Sequence, residues 1–264
     1  MRIFLDIGAH IGETLEEVLK EKYAFDRVIC FEPSKSCLES LEKYAERDSR
    51  VEILQIGLSN ITCVQKLYNS GELNGSIFSD GETSDKNSES INLVDASAWY
   101  SKNISEDDFV VIKTNCEGSE VKIVDSFLKG STFEHFYSLL ITFDIRDYPS
   151  LSHQEIAIRK RLKATGFINF CFSDDVMIGP THEKRIENWL TSFGVDLPDK
   201  SMSDLKKEFL RNFIKFSSKS GRFTRLEISL KKLFNYQHFP SFLKNFLRLI
   251  KRLLKLNRER SLDP

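Results

Sequence analysis

Asp6-Ile7-Gly8-Ala9-His10-Ile11-Gly12-Glu13-Thr14 is the stretch on which the fold turns. Ile3, Phe4, Leu5 and Ile7 form a short apolar run, the pattern of a strand buried on both faces. Glycines at 8 and 12 follow, and then Leu15, Val18 and Leu19 recur at helical spacing among Glu16, Glu17, Lys20 and Glu21. The order is strand, glycine turn, helix, with the helix expected to run to about residues 24–25. Glycine permits a sharp turn and a close approach of backbone to a ligand. Asp6, at the carboxyl end of the strand, is placed to accept a hydrogen bond from a cationic or amine group. The pattern departs from the dinucleotide fingerprint because His10 stands where its second glycine falls, crowding a pyrophosphate. A ligand with an amino-acid group and a sulfonium in place of phosphates fits that turn better.

Two further stretches extend the reading. Arg27-Val28-Ile29-Cys30-Phe31-Glu32-Pro33 is a second buried strand closed by an acidic residue and a proline, and Glu32 lies 20 residues after Gly12. In an open parallel sheet a carboxylate there accepts hydrogen bonds from ribose hydroxyls. Phe109-Val110-Val111-Ile112-Lys113-Thr114-Asn115-Cys116-Glu117-Gly118-Ser119-Glu120 is an apolar strand running into polar residues, a glycine and a helix over residues 121–128. Ligands of such sheets bind outside the carboxyl ends of the strands, which puts Asn115 and Glu117 on the reactive edge near Gly8 and Glu32. The plainer reading of Glu117, a carboxylate favouring the helix dipole, is compatible with this.

Between and beyond these lie a helix over 34–45 with Ser34 as its N-cap, a third strand over 51–59 whose end brings Gly57 and Leu58 beside the ligand, and a polar stretch over 69–90. The last reads as a long loop, of the kind that is functional or disordered. A short strand or turn at 91–96, a strand over 137–143 ending in Asp144-Ile145-Arg146-Asp147, a helix over 154–164 and a strand over 167–172 complete the alternation. Alternating β and α elements mean an α/β protein with a doubly wound, mostly parallel sheet.

With these residues in view, the chain resembles the FkbM family of S-adenosylmethionine-dependent methyltransferases over roughly residues 3–172. The motifs carrying the likeness are 6–14, Cys30-Phe31-Glu32-Pro33-Ser34 and 112–120. The resemblance implies a Rossmann-like class I methyltransferase with S-adenosyl-L-methionine as cofactor. It implies that Asp6, Gly8 and Gly12, with His10, Glu13 and Thr14 of the same turn, hold the methionine part. Glu32 with Pro33 would take the ribose, and Gly57 and Leu58 would border the adenine. Asn115 and Glu117 would face the methyl group and acceptor, the acceptor being a sugar hydroxyl of a bacterial surface polysaccharide or lipid-linked glycan precursor. The family usually has Asp at the position of Asn115, and an amide is a poor base and a poor Mg²⁺ ligand; no metal site is expected. Glu117, Asp144, His135 and His153 are the candidates for the base that deprotonates the acceptor, with Glu117 or Asp144 preferred. Two other readings stay open: a non-catalytic binding or scaffold protein of the same fold, and an NAD-linked oxidoreductase, against which His10 speaks.

The chain has 264 residues, of which 41% are hydrophobic and 29% charged, values of an ordinary globular protein. Its five cysteines show no CxxC pair and no zinc spacing, the usage of reduced thiols in a cytoplasmic protein. The strand at residue 3 leaves no room for a signal peptide, and a segment that covers the cofactor in related enzymes is missing, so another part should close the pocket. The net charge of −1 conceals an asymmetry, because residues 200–264 hold 17 Lys and Arg against 5 Asp and Glu. The expected organisation is a Rossmann-like domain over 1–180 and a basic amphipathic helical extension over 181–264. In the extension, helices are expected at 182–193, from 200, and over 239–254. The last sets Phe242, Leu243, Phe246, Leu247 and Ile250 opposite Lys244, Arg248, Lys251 and Arg252. Such a helix suits an anionic membrane surface on the cytoplasmic side first, and next a position folded on the body or paired in a homodimer. Nucleic acid is the least fitting partner.

Overall fold

The fold was read from a computed structural model that describes residues 1–78, 87–167 and 169–197. Chain order is β1 (Arg2–Ile7), α1 (Leu15–Val18), β2 (Arg27–Phe31), α2 (Lys35–Arg47), β3 (Val51–Leu54), β4 (Gly57–Ser59), β5 (Cys63–Leu67), β6 (Glu89–Asp95), α3 (Ala96–Asn103) and β7 (Phe109–Thr114). Then come α4 (Glu120–Lys129), β8 (Ser138–Ile141), α5 (His153–Thr165), β9 (Phe170–Phe172), α6 (Ser173–Val176) and α7 (His182–Ser192). The main sheet runs β3-β2-β1-β7-β8-β9 with every pair parallel. The order reverses between β1 and β7, the switch point at which such sheets open a crevice. This is the doubly wound, Rossmann-like α/β sheet expected from the alternation.

Period-two alternation sorts the strands into two cores. Ile3, Leu5 and Ile7 of β1 join Ile29, Val110, Ile112 and Leu139 on the face covered by α3, α4 and α5. Phe4 joins Val28, Val111 and Leu140 on the other face. Asp6 and Lys113 are paired neighbours in the β1–β7 register, so both side chains point to the Phe4 face.

That second face is covered by α7. Ile186, Trp189 and Leu190 are fully buried there, and the Trp189 ring lies 6.2 Å from Phe4. Thr181 caps the helix by accepting the Lys184 N–H. Arg2 donates to the Val195 carbonyl at 2.6 Å, so the segment after the helix is also held by the body. The domain expected over 1–180 therefore continues through at least 197, and the first helix of the expected extension is core rather than appendage. The helices expected from 200 and over 239–254, with their membrane, dimer and nucleic-acid readings, lie outside the described residues.

The helix expected to reach residues 24–25 stops after Val18. The cause is Glu17, which is fully buried and gathers three partners. Lys20 and Lys22 reach its two oxygens at 2.6 and 2.8 Å, and the Tyr23 hydroxyl donates to it as well. A buried carboxylate needs such partners, and a continuous helix spreads residues 20, 22 and 23 over different directions. The chain instead extends at Lys20 and makes one 3-10 turn, Glu21–Tyr23. Lys20 and Lys22 also bridge to Glu183 and Glu187, which fastens α7 beside the short α1.

The single strand expected over 51–59 is two. The Ile56 N–H turns back to the Leu54 carbonyl at 2.8 Å, and β4 leaves for a second sheet, β4-β6-β5. β5 was not anticipated, because Cys63-Val64-Gln65-Lys66-Leu67 is too polar to read as a strand. Ser34 makes no side-chain cap on α2; its hydroxyl bonds to Ser36 and Ser70 instead.

Candidate functional site

A cavity of about 270 Å³ opens at the carboxyl ends of β1, β2 and β7. The turn after β1 forms one wall, but its amides are engaged inside the protein. The Gly8 and Ala9 N–H groups both donate to the Phe31 carbonyl, at 3.0 and 3.1 Å, and the Gly12 N–H donates to Ala9. Gly8 (φ +82°) is required because a Cβ there would stand 1.9 Å from the Asn115 carbonyl oxygen. The backbone just past β7 therefore leaves no room for a side chain at Gly8, which also lines the cavity. Gly12 does not line the cavity; a Cβ on it would strike the Tyr44 ring.

Glu32, just past β2, is the best-defined group of the site. One carboxylate oxygen accepts the Ser34 N–H at 2.9 Å and the other accepts the His10 N–H at 2.8 Å. Burial pushes its carboxyl above the ordinary value although both backbone donors favour the ionised form. Each oxygen keeps a lone-pair direction for a further donor on the cavity side. Pro33 lines the wall beside it.

From Glu32 the cavity has two unlike ends. One is apolar, with Gly57 and Leu58 of β4 facing Leu67, Ile77, Ile91 and Leu93. The other carries Glu13, Thr14, Lys113, His10 and His182. The Lys113 ammonium donates to Asp6 Oδ1 at 2.7 Å and to the Gly8 carbonyl at 3.3 Å. Burial lowers it, and the charge and hydrogen bond of Asp6 more than reverse this. Asp6 itself is fully buried and does not line the cavity; the cationic group whose hydrogen bond it accepts is Lys113. Burial also acts on Glu13, but its own backbone N–H and His10 hold it below the ordinary carboxylate value.

Asn115 and Glu117, just past the carboxyl end of β7, line the cavity. Asn115 Oδ1 is buried without a hydrogen-bond partner. Glu117 sits in the left-handed region (φ +47°), a conformation that costs a non-glycine residue energy. Its carbonyl accepts the Ser76 hydroxyl at 2.6 Å, which ties the loop after β5 over the site. Burial, then the charges of Asp144 and Asp147, push the Glu117 carboxyl up to about 7. Asp144 is not a lining residue; burial and Asp147 raise it to about 6. His135 and His153 are also away from the wall, whereas His182, passed over in the sequence, belongs to it.

Glu120 underpins this edge. Its carboxylate accepts the Cys116 N–H at 2.8 Å and the Gly118 N–H at 3.1 Å, and burial, then Asp144, raise it to about 8. The folded state therefore holds a proton that the unfolded chain releases near pH 4.5, and stability falls as pH rises from there to about 8. Glu120→Gln keeps an acceptor oxygen and has nothing to titrate. It is expected to remove about 1.4 kcal/mol per pH unit of that fall. Urea unfolding at pH 5, 6.5 and 8 checks this, and an unchanged slope refutes it.

The sheet order and the cavity at its switch point define a Rossmann-like α/β protein. No protein-family profile matches the chain, and no curated protein does. Among solved structures, the crystal structure of the methyltransferase FkbM from Methylobacillus flagellatus KT is similar, with 20% identity and a TM-score of 0.34. The match covers 50% of this chain and 31% of that one, so this chain spans about a third of that protein's length.

Proposed function

We propose that the protein is an S-adenosylmethionine-dependent methyltransferase that methylates a hydroxyl. The observation carrying this is Glu32, a carboxylate fixed by two backbone N–H groups midway between a charged and an apolar end of one cavity. A ligand with a flat apolar base, a vicinal diol and a zwitterionic amino-acid tail meets all three regions in that order. Buried orphan atoms on His10 Nε2 and Asn115 Oδ1 fit a polar occupant. The same geometry disfavours a nicotinamide dinucleotide. A pyrophosphate finds the amides of Gly8, Ala9 and His10 already bonded, and it faces Glu13 and Glu32.

S-adenosylmethionine supplies, when bound, a methyl group on a sulfonium that passes to the acceptor oxygen and leaves a neutral thioether. Glu117 takes the proton from the acceptor hydroxyl; near neutral pH about half of it is ionised. Asp144 acts on Glu117 through its charge. Ser76 and the Glu117 carbonyl hold that edge in place. A sugar hydroxyl of a surface polysaccharide or lipid-linked precursor is the acceptor class, and it rests on the motif resemblance.

Titration calorimetry with S-adenosylhomocysteine tests the reading. The intact protein is expected to take up this nucleoside and to ignore NAD. Glu32→Gln, which gives up half of the diol acceptor, is expected to weaken uptake about 10- to 100-fold. No heat from folded protein with the nucleoside overturns the assignment.

A further inference from the structure

We propose that His182, brought to the cavity by α7, together with Lys113 binds the carboxylate of the ligand's amino-acid tail, while Glu13 takes its ammonium. This rests on the nucleoside reading above and assigns the end of the ligand that gives it specificity. His182 is the first residue of α7, on the sheet face that also carries Asp6 and Lys113. Its Nε2 lies 3.3 Å from the Thr14 hydroxyl, so the ring is anchored to the turn after β1 while lining the cavity. Burial, then the Lys113 charge, hold the imidazole below its ordinary value, and it meets a ligand as a neutral polar group.

Lys113 spends two of its three N–H groups on Asp6 and on the Gly8 carbonyl. The third remains for a ligand oxygen at the cavity wall. The eleven-residue helix α7 presents its positive end beside His182. Glu13, bonded to His10 Nδ1 at 3.1 Å, supplies the one carboxylate among the groups of this end that line the wall. Adjacent positive and negative groups match a zwitterion, and a phosphate or a plain alkyl tail matches only part of them. The bridges from Lys20 to Glu183 and from Lys22 to Glu187 keep the first turns of α7 in place.

The test compares S-adenosylhomocysteine with 5′-methylthioadenosine, which has the base and diol but no amino-acid tail, by calorimetry on the full chain. His182→Ala is expected to weaken uptake of the first about tenfold and to leave the second unchanged. Thermal unfolding reports whether the variant is folded. Should alanine unfold the protein, His182→Asn, too short to span Thr14 and the ligand, stands in with the same expectation. Equal loss for both nucleosides, or loss for neither, overturns the role of His182 and leaves the cofactor reading standing. Wild-type protein that takes up neither nucleoside overturns the cofactor reading itself.

Discussion

Lys113→Met is expected to lower stability by about 3–5 kcal/mol, because it strands Asp6 as a buried carboxylate with no counter-charge. Asp6 is fully enclosed, its Oδ2 already lacks a hydrogen-bond partner, and among the described residues Lys113 is its one ion-pair partner. The sign of the pH dependence follows. Burial raises the Asp6 carboxyl, and Lys113 is what opposes it most. Without Lys113 the folded value stands further above the unfolded one, so the variant loses stability as pH rises through and beyond the carboxylate range. The deficit should therefore be smaller at pH 4 than at pH 7. Asp6→Leu with Lys113→Met removes both charges at once and should recover most of the loss. Urea unfolding of the two variants at both pH values checks this. A Lys113→Met protein within about 1 kcal/mol of wild type at pH 7 shows the pair to be solvated, contrary to its burial.

Glu117→Gln is expected to reduce turnover about 10²- to 10⁴-fold, the usual contribution of a general base. Nucleoside uptake should hold, because the substituted group faces the acceptor. In the wild type, the rate should rise with pH and level off above about 7, as Glu117 loses its proton. Asp144→Asn removes a charge that helps hold this value up, so the rise should move to lower pH with a smaller change in plateau. Methyl release from labelled cofactor onto a glycan extract gives both readouts. Wild-type turnover in folded Glu117→Gln excludes the residue as base.

The parts of the fold that could be read from the chain are those where local pattern and tertiary environment agree. β1, β2 and β7 are short apolar runs that give way to a glycine, an acidic residue and a polar stretch respectively, and a strand buried on both faces leaves that trace. Glu32 was legible for the same reason, by its distance from the turn. Asp6 accepts from a cationic group as its place at the strand end suggests, but the group is Lys113, 107 residues away. Strand alternation puts 6 on the Phe4 face, but nothing local announces a cation across the ladder. Gly8 and Gly12 sit in the expected turn; the room a side chain would need is taken by Asn115 and Tyr44, and of the two Gly8 lines the cavity. The early end of α1 depends on what Glu17 needs once buried, and helix propensity is silent about that. His182 lies 168 positions from Thr14 and has no motif around it, so only the packing of Trp189 reveals where its helix goes.

The order of synthesis gives the packing of α7 one more meaning. A nascent chain that has reached residue 180 already contains all six strands of the large sheet, yet Phe4 on its first-made strand still lacks the indole that packs against it. Domains settle as whole units as they leave the ribosome. Here the first strand is covered by the last of the described helices, and the cavity gains His182 in its wall in the same moment as the strand gains its hydrophobic cover.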